Sequence, residues 1–289
     1  MSKVLVMTDT VACIPRDMAE KYQIKVVPAA NIFYDGKEYI DGVTLSAADA
    51  YQLIKKDPDR FLTSALTPAY LLEEFNKASE ESQDILFITL SSALSAASKT
   101  AALAADLTKE KSPQLSIRIM DSRTVAGAQG LIVLAAARAA AKGMSLDEVA
   151  DFAEKVRQQT YGLMMLETLR YVYRTGRMSK MGSRIAAMFN IKPINKITEE
   201  GKLEMVDRTR NSDDGLEILV NLIQDYAGTD ALHFLVSHAD AIDMANKFSE
   251  MLKQKFNCLS MIISDYSPVM GYGAGPGAIF VGFHPEISL

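Results

Sequence analysis

The feature that most restricts what this chain can become is a unit repeated through its first 160 residues. Each unit is a short, almost wholly apolar run followed by a stretch with helical spacing. Residues 4–7, 24–28, 84–90 and 116–120 are runs of this kind. Continuous apolarity, rather than alternation, marks strands buried on both faces, as in a parallel sheet covered by helices. The stretches between them carry helix-end signals. Residues 15–22 form a short helix, and residues 46–55 open on the capping Ser46. Residues 68–80 have Thr67 as cap and Pro68 in the first turn. Residues 95–107 and 127–142 are rich in Ala, and Gly143 stops the second. Residues 145–159 begin with Ser145 and Glu148, a capping box. Residues 31–39 alternate about Asp35-Gly36, a hairpin turn. Residues 61–68 read as a hydroxyl-rich loop. The expected fold class is α/β, with a doubly wound parallel sheet in this half.

The second half reads differently. Residues 162–166, 233–238, 258–265 and 278–283 read as strands, and residues 191–197 and 203–207 flank Glu200-Gly201 as a hairpin. Helical spacing covers residues 168–174, 183–189, 213–226 and 241–255. A hairpin followed by a βαβ unit predicts a mixed-sheet α/β C-terminal domain. The expected division lies near Thr160, giving domains 1–160 and 161–289. No low-complexity linker separates them, so close packing is expected, and no segment of the sequence itself recurs.

Composition narrows the function. Among 289 residues, Lys and Arg sum to 31 and Asp and Glu to 36, a net charge of −5. An acidic chain without Trp is a poor binder of nucleic acid, because phosphate binding needs a basic surplus. The two cysteines, Cys13 and Cys258, make neither a disulfide framework nor a metal pattern. The three histidines are too few and too scattered for a zinc cluster. Neither a cofactor nor a metal is expected. The apolar start meets Asp9 too soon for a signal peptide. The longest apolar run, residues 131–137, ends at Arg138, far short of the roughly 20 residues that span a bilayer. A cytoplasmic protein is expected, with transient membrane contact at most.

The small hydroxyl residues are the most informative for chemistry. Inferred strands end in Thr8-Asp9-Thr10, Ser91-Ser92 and Asp121-Ser122, with Thr63-Ser64 in a loop beside them. Ligands of open α/β sheets sit outside the carboxyl ends of the strands. Hydroxyls at a helix start suit an anion, and Ser95 opens a helix in this reading. The same residues also serve as ordinary helix caps. A serine nucleophile needs a base and an oxyanion hole. His238 is the available base, but no Gly-x-Ser-x-Gly elbow is present. Residues 271–277 are dense in glycine but lack the Lys of a P-loop, so they read as backbone passing close to a ligand or to the other domain. Arg170, Arg174, Arg177, Lys180 and Arg184 form a basic cluster, readable as a solvated face or as a docking surface for an acidic or phosphorylated partner. Met178, Met181, Met188 and Met205 suit either core or an adaptable lipid pocket.

Taken together, these segments resemble the DegV family of bacterial fatty-acid-binding proteins over essentially the whole chain. Thr8-Asp9-Thr10-Val11-Ala12 resembles TDSTAD, Thr63-Ser64 the start of TSQPS, and Ser91-Ser92-Ala93-Leu94-Ser95 resembles SSxLSGT. Asp121-Ser122 resembles the family's next strand end. Thr175-Gly176-Arg177-Met178-Ser179-Lys180 resembles GGRISK, and Ile191-Lys192-Pro193-Ile194 resembles IKPIL. Ser237-His238-Ala239 and Gly275-Pro276-Gly277 resemble the family's HA and GPG segments. The resemblance implies a non-enzymatic carrier that holds a long-chain fatty acid between two domains. Carried over by position, Thr63 and Ser95 bind the carboxylate, and Ser64 and Ser92 support them. In some members a separate fatty-acid kinase converts this carboxylate to an acyl phosphate for phospholipid synthesis. Arg177 and Arg208 match the arginines of that docking surface. This chain departs from the pattern at Ala96-Ala97, where the family has Gly-Thr, and at Ala65-Leu66-Thr67, in place of QPS. It also carries Asn211 and Asp213-Asp214 where basic residues are expected. Gly273 replaces a His that helps present the carboxyl group to the kinase. Two alternatives stay open, a divergent member binding another anionic amphiphile without a kinase, and a Ser-dependent hydrolase.

Overall fold

The computed structural model describes residues 4–178, 191–228 and 230–289. The predicted helix over residues 183–189, with Lys180, Met181, Arg184 and Met188, lies outside them.

The first half runs β1 (Leu5–Asp9), α1 (Arg16–Tyr22), β2 (Lys25–Val27), β3 (Ala30–Tyr34), β4 (Lys37–Ile40) and α2 (Ala47–Lys56). It continues with β5 (Leu62–Ala65), α3 (Pro68–Ser79), β6 (Asp84–Thr89), α4 (Ala97–Lys111), β7 (Ser116–Asp121), α5 (Ala126–Ala141) and α6 (Leu146–Arg157). Four of these strands make a parallel sheet in the order β2-β1-β6-β7. Local chemistry sets the ends. Ser46 accepts from the Asp49 N–H to open α2, and Thr67 accepts from the Tyr70 N–H to open α3. Ser145 and Glu148 form the predicted capping box. Asp35 and Gly36 both take positive φ, 49° and 75°, as a tight hairpin turn between β3 and β4 requires.

The second half runs β8 (Tyr161–Met165), α7 (Arg170–Thr175), β9 (Lys192–Ile197), β10 (Leu203–Thr209), α8 (Ser212–Ala227) and β11 (Leu232–His238). It ends with α9 (Ile242–Lys255), β12 (Cys258–Asp265), α10 (Pro268–Ala274) and β13 (Ile279–Pro285). Its six strands form a mixed sheet in the order β10-β9-β8-β13-β11-β12, in which only β11 and β12 run parallel. The α/β class and the two predicted sheets are therefore present.

The helix α5 lies between the sheets. It packs on β1 and β6 on one side and on β8, β11 and β13 on the other. All its residues except Arg138 and Ala141 are buried. Small residues make this double contact geometrically possible. A Cβ on Gly127 would overlap the Leu235 carbonyl, and one on Gly282 would overlap the backbone of Ala128. The Ala-rich composition of residues 127–142 is thus a packing requirement of a helix enclosed on two sides.

Three expectations are corrected. Residues 62–65 are a strand, not a loop: β5 pairs antiparallel with β3, so β4, β3 and β5 form a third, small sheet. Ser95 does not open a helix at its own position. The helix α4 starts at Ala97, and Ser95 Oγ accepts from the Ala97 N–H at 3.2 Å. The glycine-dense segment is largely helical. Ser267 caps α10 through the Met270 N–H, and Pro268 sits in its first turn.

Candidate ligand-binding site

A cavity of about 270 Å³ opens where the small sheet, the α4 entry, α10 and the mixed sheet meet. Its walls are mostly apolar, including Val11, Leu90, Val125, Met164, Leu166, Val172 and Leu203. Polar groups enter it at few places. Thr63 and Ser64 arrive on β5, in register with Ile32 and Asn31 of β3. Ser95 comes from the turn after β6, and Arg177 from beyond α7. The structure therefore brings Thr63, Ser64, Ser95 and Arg177 to one cavity. Ser92 and Arg208 do not line it. Ser92 is exposed, its backbone N–H donating to Asp121 at 3.1 Å. Arg208 is exposed on β10 opposite Pro193.

The hydroxyls at the strand ends divide by what they bond. Thr8 donates to the Ile88 carbonyl at 2.8 Å, and Thr10 donates to Asp41. Ser91 donates to the Gly201 carbonyl at 2.8 Å, and Ser122 to that of Thr124 at 3.1 Å. These four are committed to holding the fold. Among the described residues, the Thr63 and Ser64 hydroxyls have no hydrogen-bond partner, and Ser95 only accepts a bond. The O–H groups of Thr63 and Ser95 are free to donate into the cavity, whereas Ser64, next to Thr63 on the strand and opposite Asn31, turns its side chain to the other face of the small sheet. That distinction separates a cap from a candidate ligand donor.

The basic cluster is also divided by its partners. Arg170 and Arg174 approach Asp59 at 3.5 and 3.2 Å. The Arg174 guanidinium stacks on Tyr272, 4.7 Å from the ring centroid, and Tyr272 in turn stacks on Phe61. Gly176 ends α7 with φ 70°. Arg177, beyond it, donates from Nε to the Leu94 carbonyl at 3.3 Å and from Nη1 to that of Thr175. Met178 is buried in the core beside the cavity.

The helix α10 was missed as an element, and it supplies one wall through Val269, Met270, Tyr272, Gly273 and Ala274. Its signal was the Ser267-Pro268 pair, a cap followed by a first-turn proline. The wall is held by Asp41, which accepts from the Val269 N–H at 3.0 Å, and by Tyr51. The Tyr51 ring lies against Gly271, and its hydroxyl donates to the Tyr266 carbonyl at 3.1 Å. Gly273 has open space around its Cβ position.

Two buried carboxylates stand behind the site. Asp9 accepts from the N–H groups of Val11 and Leu90 and from Gln129 Nε2. Burial nevertheless pushes it up to about 6, and burial raises Asp41 to about 6 as well. Burial raises the Cys13 thiol far above its ordinary range, so it is not a nucleophile at neutral pH. Burial pulls His238 down, leaving a neutral ring whose Nδ1 accepts from the Ala241 N–H at 3.4 Å. No hydrogen bond joins His238 to Ser92 or Ser95 among the described residues. No cluster of three His, Cys, Asp or Glu suited to a metal is found among them, and no described helix is long and apolar enough to cross a membrane.

The arrangement suits an amphiphile, with apolar walls for a tail and free hydroxyl donors for an acceptor head group. Comparison with known proteins agrees with the segment-by-segment resemblance. A family model described as "Uncharacterised protein, DegV family" matches residues 3–286. A DegV domain-containing protein of Caldanaerobacter subterraneus is 30% identical over 99% of this chain and all of its own length. Among solved structures, DegV from Bacillus subtilis, described as a fatty acid binding protein, superposes with a TM-score of 0.88 at 22% identity, covering 99% of this chain and 100% of that one. A DegV family protein from Thermus thermophilus, whose structure reports fatty acid binding, gives 0.88 at 21% identity over 98% of this chain and 100% of its own. The chain belongs to the DegV family.

Proposed function

We propose that this protein binds a long-chain fatty acid in the cavity, with the carboxylate held by the hydroxyls of Thr63 and Ser95, and with Ser64 supporting Thr63 on the strand. The observation that carries the reading is the pair of free hydroxyl donors, Thr63 and Ser95, on a mostly apolar cavity. The fatty-acid binding described for the Bacillus subtilis and Thermus thermophilus structures supports it. The energetics are adequate. Burying about a dozen methylenes gains roughly 10 kcal/mol gross at about 0.8 kcal/mol each. A few head-group donors then suffice for orientation, and a carrier of this kind needs no catalytic group.

The chain works in this reading as two domains, 1–160 and 161–289, in the cytoplasm. Arg177 at the cavity and Arg208 on β10 dock a separate fatty-acid kinase that phosphorylates the carboxylate, and Ser92 lends its support from the exposed side of the Ser95 turn. The primary test is mass spectrometry of lipid extracted from the purified native protein, with a denatured and washed control. Stoichiometric fatty acid is expected. An empty protein that also takes up no added fatty acid would refute the reading, and recovery of a different anionic amphiphile would redirect it. The kinase step is read separately as acyl phosphate formed with a cognate kinase. No product with the wild-type protein, and no change on Arg208→Ala, would eliminate it.

A further inference from the structure

A second, much smaller cavity of about 20 Å³ lies behind the first. That volume admits a single water molecule. Ser95, Ala29 and Ala65 line both cavities, so Ser95 stands between them. The small cavity is also lined by Asp9 and Thr100. Asp9 is only 2% exposed. Among the described residues neither it nor Asp41 is ion-paired with a Lys, Arg or His. Among the described residues, the proposed head-group site therefore has beside it a negative charge without a counter-ion.

We infer that fatty-acid binding is coupled to proton uptake, with Asp9, through Ser95 and the small cavity, sharing one proton with the bound carboxyl group. The inference rests on the fatty-acid reading of the large cavity. Two carboxylates that approach one another in a desolvated site do not both stay ionised. The free anion and Asp9 together carry two negative charges. The complex takes one proton from solvent and carries one.

The surroundings of Asp9 favour this. Gln129 Oε1 on α5 is buried and has no hydrogen-bond partner, while its Nε2 donates to Asp9 and Thr8. Half a turn of that amide presents Oε1 as the acceptor for a protonated Asp9, in exchange for the Nε2 bond to Thr8. The other titratable groups nearby push the same way. Asp41, bridged to the same strand end through Thr10, adds negative charge at Asp9, and Cys13 beside them stays a neutral thiol. Tyr51, packed near Asp41, stays a neutral phenol. Burial already holds Asp9 well above the ordinary carboxylate range before any ligand arrives. Among the described residues, Arg177 is the cation on the large cavity. Its guanidinium is exposed and bonded to two carbonyls, where water screens its charge.

The test is titration calorimetry with dodecanoate at pH 7, in two buffers of different ionisation enthalpy, with dodecan-1-ol as an uncharged control. We expect uptake of about half to one proton per acid bound, none with the alcohol, and an affinity for the acid that falls as pH rises, by up to about tenfold per pH unit. Asp9→Asn should lower the uptake. The buffer comparison on the wild-type protein stands alone if that variant does not fold. Dodecanoate binding with no net proton uptake would overturn the inference while leaving the fatty-acid reading intact. Failure to bind either ligand would instead overturn the fatty-acid reading, and the inference with it.

Discussion

The seat of α10 on Tyr51 gives a prediction that links one glycine to both stability and ligand affinity. A Cβ added at Gly271 would lie 2.5 Å from Tyr51 Cε1, with two further ring atoms at 3.2 and 3.3 Å. Carbon atoms pack best at about 3.5–4.0 Å, so the helix or the ring must retreat by about 1 Å. The ring has nowhere to go: Tyr51 is 2% exposed and its hydroxyl is bonded to the Tyr266 carbonyl. The helix therefore moves, and with it Met270, Tyr272, Gly273 and Ala274 in the cavity wall. Overpacking against so rigid a neighbour costs about 2–3 kcal/mol. The better helix propensity of Ala offsets about 1 kcal/mol of that. A net loss of about 1–2 kcal/mol lowers the Tm of a protein of this size by about 2–8 °C. A wall pushed about 1 Å off its support and towards the cavity overpacks a bound chain at about 1–3 kcal/mol, enough for about a tenfold loss of fatty-acid affinity. Calorimetric melting and a displacement titration on Gly271→Ala read the two effects. Gly271→Ala combined with Tyr51→Leu should recover part of both, because the obstructing ring atoms are gone. Wild-type Tm and affinity in Gly271→Ala would refute the claim that this contact sets the wall.

Two further predictions test the site and its electrostatics. Ser95→Ala and Thr63→Val should each weaken fatty-acid binding by about 1–3 kcal/mol, the cost of leaving a carboxylate hydrogen bond unmade. Equal affinity in both variants and the wild type, by the same titration, would place the head group elsewhere. For Asp41 the sign follows from a folded value of about 6 against the ordinary 3.8. Folding binds a proton there, so its contribution to stability is fully present below about pH 4 and is lost as pH rises through 6. At pH 8 the charged form costs about 3 kcal/mol. An Asn at this position can still accept from the Val269 N–H and can donate to Thr10. Asp41→Asn should therefore raise the urea midpoint at pH 8, with the gain fading towards pH 4. A lower midpoint at pH 8 would show that the charge is better compensated than its burial implies.

Most secondary structure was legible because its causes are local. Ser46, Thr67 and Ser145 cap the helices they precede, and the continuous apolar runs become buried strands. The departures are non-local. Leu62–Ala65 has too little pattern to declare a strand and becomes one because β3 offers a free edge. Dense glycine hid α10, whose glycines serve close packing, as at Gly271 on Tyr51, rather than chain flexibility. The arginines share a helix face in sequence, but Asp59 of a distant turn engages two of them.

The order of apolar runs, helix caps and hydroxyl motifs determined the α/β class, the family and a short set of candidate polar residues, since each depends on residues close together in the chain. Which hydroxyls remain free was decided only in three dimensions. Ser91 is taken by the carbonyl of Gly201, 110 residues away, and Thr10 by Asp41, while Thr63, Ser64 and Ser95 keep their donors. A hydroxyl's role depends on the acceptor that folding brings beside it, and for these residues that acceptor lies on another element.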